Sequence, residues 1–176
     1  MNQIRLTVYT SLFVALIACG AFISIPVGPV PIVLQNMFVL LAGLILGPVW
    51  GLGCVGVYLL IGLAGLPVFA GGTAGMGKLF GPTGGYLLGY LPAVWATGII
   101  SKTMKKNMAG DLTALIAGSL IVYAAGVPWL KFAISISWPK ALAAGMYPFL
   151  IGDALKVAAA ALIAKKIRNM IPEMNR

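Results

Sequence analysis

The sequence has no histidine and only three carboxylate side chains, Asp111, Asp153 and Glu173. Without histidine there can be no Ser-His-Asp triad and none of the common His-containing zinc sites. Cysteine is scarce too. Cys19 and Cys54 both lie in apolar stretches, where they read as small buried residues rather than as a disulfide. Charged residues make up 9% of the 176-residue chain and hydrophobic ones 61%, a balance too apolar for a soluble domain of this size. A membrane span takes about 20 apolar residues. The chain therefore has room for about six spans and none for a soluble catalytic or nucleotide-binding domain. Its net charge of +9 has the sign that nucleic acid attracts, but the placement of the charges argues for membrane topology and against a nucleic-acid partner.

What is there is a series of apolar runs. They predict an all-α membrane protein, a bundle forming one integral domain over residues 1–176, with spans at about 6–25, 32–46, 50–66, 84–100, 112–130 and 147–166. The first run ends at Ile25-Pro26-Val27-Gly28-Pro29-Val30-Pro31, whose three prolines forbid a continuous helix. Within that run Leu16-Ile17-Ala18-Cys19-Gly20 resembles a lipoprotein cleavage box. A cleaved signal should precede an exported domain, and an apolar run follows instead. Ser11, Ala15 and Cys19 form a stripe of small residues at four-residue spacing, a flat face that suits either internal packing or another helix. The second run is short and carries Gln35-Asn36 near its start. These two amides are either interfacial or turned inward to hydrogen-bond something. Gly47-Pro48 predicts a tight turn.

Residues 67–83 form the longest loop. It is glycine-rich but almost uncharged, the mixture expected of a cap that lets backbone approach a ligand closely. Gly72, Gly77 and Lys78 match most of a phosphate-cradling loop. Leu79 stands where that motif needs Ser or Thr for magnesium, and no strand pattern precedes it, so nucleotide binding is rejected. Within residues 131–147, Trp138-Pro139 predicts a short interfacial helix.

The cations divide unevenly between the two sides. Arg5, Lys102, Lys105, Lys106, Lys165, Lys166, Arg168 and Arg176 fall on one side, and Lys78, Lys131 and Lys140 on the other. The excess predicts that both termini are cytoplasmic, and the glycine-rich loop then faces outward. Asp153 and Lys156 share the last span at i and i+3, so both project from one helix face. An ionisable residue within a span is costly and marks a functional site by default. The loop and the charged pair are predicted on the same, outer side, which points to ligand capture from outside. A structural ion pair is the plainer alternative. Asp111 and Glu173 are placed at the cytoplasmic edge, so no second carboxylate joins Asp153 for acid–base chemistry. Two other readings stay open, a small membrane enzyme using Asp153 and a stand-alone permease, although a pore would need more polar residues along its path.

Several blocks resemble one family. Gly62-Leu63-Ala64-Gly65-Leu66-Pro67-Val68-Phe69-Ala70-Gly71-Gly72, then Gly81-Pro82-Thr83-Gly84-Gly85-Tyr86-Leu87, together with Pro29 to Gln35 and Gly152-Asp153-x-x-Lys156, closely resemble the BioY family. These are the biotin-binding S components of energy-coupling factor (ECF) transporters. The resemblance implies a six-helix bundle in the cell membrane that captures biotin outside. It also implies a transmembrane coupling protein and two ATPases as partners, with ATP used by the partners and no cofactor on this chain. On that resemblance the ligand site comprises Asp153, Lys156, Tyr86, Gly71, Gly72, Thr83, Gly84, Phe69, Gln35 and Asn36. Lys156 meets the biotin carboxylate or, in the swapped assignment, is itself positioned by Asp153. Glycine-loop amides or Tyr86 donate to the ureido carbonyl, and Phe69 and Leu66 supply apolar walls. The coupling protein meets the face of Ser11, Ala15 and Cys19, where Cys19 replaces a more usual alanine.

Overall fold

The computed structural model describes residues 3–104 and 107–170. Among these, helix dominates, as the long apolar runs require of a chain that must satisfy its backbone in lipid. Helix α1 is Gln3–Phe22 and is stopped by the proline segment. That segment folds back as a hairpin, β1 (Ser24–Ile25) against β2 (Ile32–Val33), antiparallel with Ile25 opposite Ile32. Helix α2 is Gln35–Leu63, α3 Gly77–Phe80, α4 Gly84–Thr103, α5 Met108–Ala133 and α6 Trp138–Gly145. A 3₁₀ turn, Tyr147–Phe149, leads into α7, Leu150–Met170.

The predicted second and third spans are the two halves of α2, two helices joined across a kink at Gly47-Pro48, the position at which the sequence predicts a turn. The backbone leaves helical geometry only at Gly47 (φ 79°), and Pro48 resumes the helix. Glycine supplies the positive φ, and proline is tolerated where a new helical segment starts. Helix α4 crosses at this break: a side chain at Gly98 would meet the backbone of Gly47 and Pro48, and one at Gly43 the carbonyl of Val94. Such glycines let helices approach to backbone contact, the packing mode that lipid favours.

Helices α1, α2 and α5, and the stretch from Trp138 to Met170, are long and apolar enough to cross a membrane. Helix α4, also 20 residues, falls outside that set. α4 packs on α2 and α5, α1 on α2, and α7 on α2 and α5. The core includes Ile17, Val39, Val55, Tyr58, Phe69, Val94, Leu115 and Leu130. Ile4, Val8, Leu12, Leu120, Ile151, Leu155 and Leu162 point outward, as lipid-facing residues should.

One expectation about α1 changes, and one alternative closes. Cys54 is buried, but Cys19 is exposed. Ser11, Ala15 and Cys19 all face away from the bundle, so their stripe is not internal packing. Lys105, Lys106, Glu173 and Arg176, all used in the charge reading, lie outside the described residues.

Candidate functional site

At one end of the bundle lies a cavity of about 390 Å³, within the usual range for small-molecule sites. Its walls come from five places: the proline hairpin (Pro29, Val30, Pro31), the start of α2 (Gln35, Asn36), the glycine-rich loop with the start of α4, the cavity ends of α5 and α7, and the passage from the end of α6 into α7 (Gly145, Phe149).

The polar centre is Asp153, 8% exposed. Its Oδ1 accepts from Lys156 Nζ at 2.9 Å and from Asn36 Nδ2 at 2.9 Å, and its Oδ2 accepts from the Tyr123 hydroxyl. One carboxylate thus gathers donors from α2, α5 and α7. The Asp153–Lys156 pair is nearly buried on both sides and faces the cavity, so the cluster is polar but close to neutral. Asn36 Oδ1 is buried without a partner.

Gln35 is buried and donates through Nε2 to the Tyr58 hydroxyl at 2.9 Å. That hydroxyl donates to the Val68 carbonyl at 3.0 Å, which anchors the start of the loop to α2. The two amides therefore both turn inward, which settles the interfacial alternative. Phe69 follows, 1% exposed, its ring edge-on to Tyr58 at 5.7 Å and lying over Gly62, where no side chain would fit. The loop is ordered by a bond within it, Phe69 N–H to Thr73 O at 2.9 Å, and by two to neighbouring helices, Gly75 N–H to Gly62 O of α2 at 2.8 Å and Trp129 Nε1 of α5 to Gly81 O at 2.9 Å. Lys78, in α3, lines the cavity from this loop. Both described carboxylates, Asp111 and Asp153, pair with other cations.

Several predicted site residues stand elsewhere. Gly71 and Gly72 do not line the cavity. They adopt positive φ (69° and 72°) to turn the loop, and their N–H groups are spent on Ala21 O and Phe69 O. Their neighbours Ala70, Thr73 and Ala74 form the wall instead. Thr83 lines it, but Gly84 sits beneath, packed so close to Leu79 that a Cβ would overlap its carbonyl. Leu66 is half exposed and outside the cavity. Tyr86 contributes its ring, while its hydroxyl donates to Gly145 O at 2.8 Å and so holds α6 rather than offering a proton to a ligand. Tyr123, Tyr90 and Lys78 line the cavity, and none of them is among the ligand-site residues expected from the sequence.

The chain as a whole is similar to proteins of one known family. The BioY family model matches residues 1–173. The chain belongs to the BioY family. It is 41% identical over 166 residues to the biotin transporter BioY of Thermotoga maritima, covering 94% of this chain and 97% of that one. It is 34% identical over 175 residues to the BioY of Lactococcus lactis subsp. cremoris, covering 95% and 92%. A crystal structure of the S component for biotin from an ECF-type ABC transporter superposes with a TM-score of 0.89 at 33% identity, covering 96% of this chain and 95% of that one. This BioY member is therefore an all-α, multi-pass membrane protein with the fold of an ECF S component, a transport protein by family and not an enzyme.

Proposed function

We propose that this chain captures biotin at the outer face of the cell membrane and delivers it inward together with a transmembrane coupling protein and two ATPases. The observation that carries this reading is the cavity itself. It has a neutral donor–acceptor cluster on one wall, apolar surfaces between, and a lysine in the covering loop.

Biotin has three parts, and each has a counterpart. The ureido ring is neutral and offers two N–H donors and one carbonyl. Asp153 accepts N–H groups and Lys156 donates to a carbonyl, so the cluster suits that ring. The thioether ring and alkyl chain suit Phe69, Val122, Phe149 and the Tyr86 ring. The valerate carboxylate needs a cation that has no other partner to neutralise it. Lys156 is already paired with Asp153, whereas Lys78 is not engaged by either described carboxylate. In this orientation Asp153 and Lys156 hold the ureido end together, Lys78 meets the carboxylate, and residues 67–83 act as the cover.

The chain would cross the membrane six times, counting the two halves of α2 separately, with both termini cytoplasmic. Its α1 stripe, Ser11, Ala15 and Cys19, faces outward and is available to the coupling protein. ATP would be used by the partners, with no cofactor on this chain. Against an acid–base enzyme stands Asp111, the other described carboxylate, which is locked in an ion pair far from the cavity.

Calorimetric titration of the purified chain with biotin and desthiobiotin, without ATP, tests the reading. Tight biotin binding is expected, with a large loss in Asp153→Asn. No binding by the folded parent chain, or equal binding by Asp153→Asn, would refute it. Biotin flux through liposomes containing this chain alone would instead favour a stand-alone permease.

A further inference from the structure

The bundle holds a second buried polar cluster, at the end opposite the cavity. Arg168, 3% exposed, donates through Nη1 to Asp111 Oδ2 at 2.6 Å, and through Nη2 to the Leu44 carbonyl at 3.0 Å and to Ser101 Oγ at 3.2 Å. Asp111, 1% exposed, accepts from Ser101 Oγ at 2.7 Å. By sequence both charges belong at the membrane edge. Their partners draw them inside. The Leu44 carbonyl has a particular need: in an unbroken helix it would accept from residue 48, which is proline and has no N–H. Arg168 supplies the missing donor.

This cluster joins helices that also build the cavity. Helix α2 gives Leu44 here and Asn36 there, α5 gives Asp111 and Tyr123, and α7 gives Arg168 and Asp153. On α7 the two attachments lie 15 residues apart, about 22 Å along the axis. Between them the only fully buried residues are Ala160, Ala161 and Ala164. An alanine seam permits close approach but has little relief to fix axial position or rotation. Ile151, Leu155 and Leu162 point away from the bundle.

We propose that Arg168 and Asp111 are positioning residues for the ligand cavity: their ion pair, together with the Leu44 carbonyl, sets the axial and rotational register of α7 and thereby places Asp153 and Lys156. The fit of the cavity is decided by a clasp at the far end of the same helix.

The test replaces the pair by apolar residues of similar volume, Asp111→Leu with Arg168→Met. Such replacement removes both described charges of the cluster together and is commonly tolerated by the fold. Two readouts are used. The first rests on the biotin reading: affinity is expected to fall at least tenfold, mainly through faster dissociation, while the detergent-solubilised protein stays monodisperse. The second needs no ligand. Spin labels at Ile151→Cys on α7 and Leu120→Cys on α5, with Cys19→Ala, report the interhelical distance. The double variant is expected to broaden or shift that distribution. An unchanged distribution would overturn the proposal whatever the chain binds. A changed distribution with no biotin binding even by the parent would support the clasp and sink the vitamin. Arg168→Lys provides a milder check, because it keeps the charge but lacks the fork that reaches Asp111 and Leu44 together. A three- to tenfold affinity loss is expected, and parental affinity in Arg168→Lys would count against the clasp.

Discussion

Replacing Lys78 by glutamine, read against two ligands, decides which end of biotin meets which charge. Among the described residues, Lys78 and Lys156 are the two lysines that line the cavity. They differ in circumstance. Lys156 is held 2.9 Å from the Asp153 carboxylate and is nearly buried, so its charge is compensated before any ligand arrives. Lys78 sits in a short helix of the loop, partly exposed. A pair formed there lies between two limits. An exposed ion pair contributes about 0.2–1 kcal/mol, whereas truncating one partner of a buried, hydrogen-bonded pair costs about 2–5 kcal/mol. For a partly covered lysine about 1–2 kcal/mol is expected, which is roughly a five- to thirtyfold change in Kd.

The assay is a double cycle by calorimetry: parent and Lys78→Gln, each titrated with biotin and with its neutral primary amide. If Lys78 meets the valerate carboxylate, Lys78→Gln loses roughly five- to thirtyfold for biotin and little for the amide. In the parent, the amide should be weaker than biotin by a similar factor. Lys156→Gln should weaken both ligands alike, since its contact is to the shared ureido end. The orientation is refuted if Lys78→Gln hurts biotin and its amide equally, or if the charge-selective loss appears in Lys156→Gln instead.

Asp153→Asn removes the negative charge that three donors share, leaves one acceptor oxygen in place of two, and strands the Lys156 charge in a nearly buried position. A charge-assisted hydrogen bond is typically worth about 1.5–3 kcal/mol, so at least a tenfold loss of affinity is expected, and calorimetry showing parental affinity would contradict it. Gly98→Ala forces a methyl group against the backbone of Gly47 and Pro48, which cannot swing aside. Overpacking of this kind costs about 1–3 kcal/mol, so thermal unfolding in detergent should occur at lower temperature, and an unchanged midpoint would mean that α4 and α2 pack less tightly than described. Ala15→Leu enlarges the outward stripe of α1 without touching the cavity. Biotin binding by the isolated chain should be kept while co-purification with the coupling protein is lost, and intact co-purification would rule out that face.

The sequence makes the bundle legible because lipid leaves few choices. Apolar runs of spanning length must be helical, and three prolines between Pro26 and Pro31 must interrupt them. Asp153, Lys156 and Asn36 are legible for a related reason, since polar groups in apolar runs need partners. What escapes is whatever depends on which neighbour a side chain finds. Tyr123 is one tyrosine among six, and only the crossing of α5 with α7 brings its hydroxyl to Asp153. Gly71 and Gly72 promise free N–H groups, but the first is taken by Ala21 O of α1 and the second by Phe69 O within the loop. Arg168 belongs by spacing to the basic end of a span. Nothing in that spacing says that a proline 120 positions earlier has left a carbonyl for it.

The two polar clusters also bear on why the ligand should lie one way round. Among the described residues each pairs one carboxylate with one cation inside the bundle, so the described charges of each cluster balance. A carboxylate brought against the Asp153–Lys156 pair would be an extra anion where desolvation is costly and the cation is already used. A neutral ring brought there costs no charge desolvation and exchanges hydrogen bonds with both members of the pair. The loop side, where Lys78 keeps contact with water, tolerates a charge at far lower cost. On this reasoning Asp153→Asn should harm recognition of the ureido ring even in ligands that lack the carboxylate, and titration with a valerate-truncated ring analogue measures that directly. An analogue that binds Asp153→Asn as well as it binds the parent would show that the buried pair holds the acid end after all.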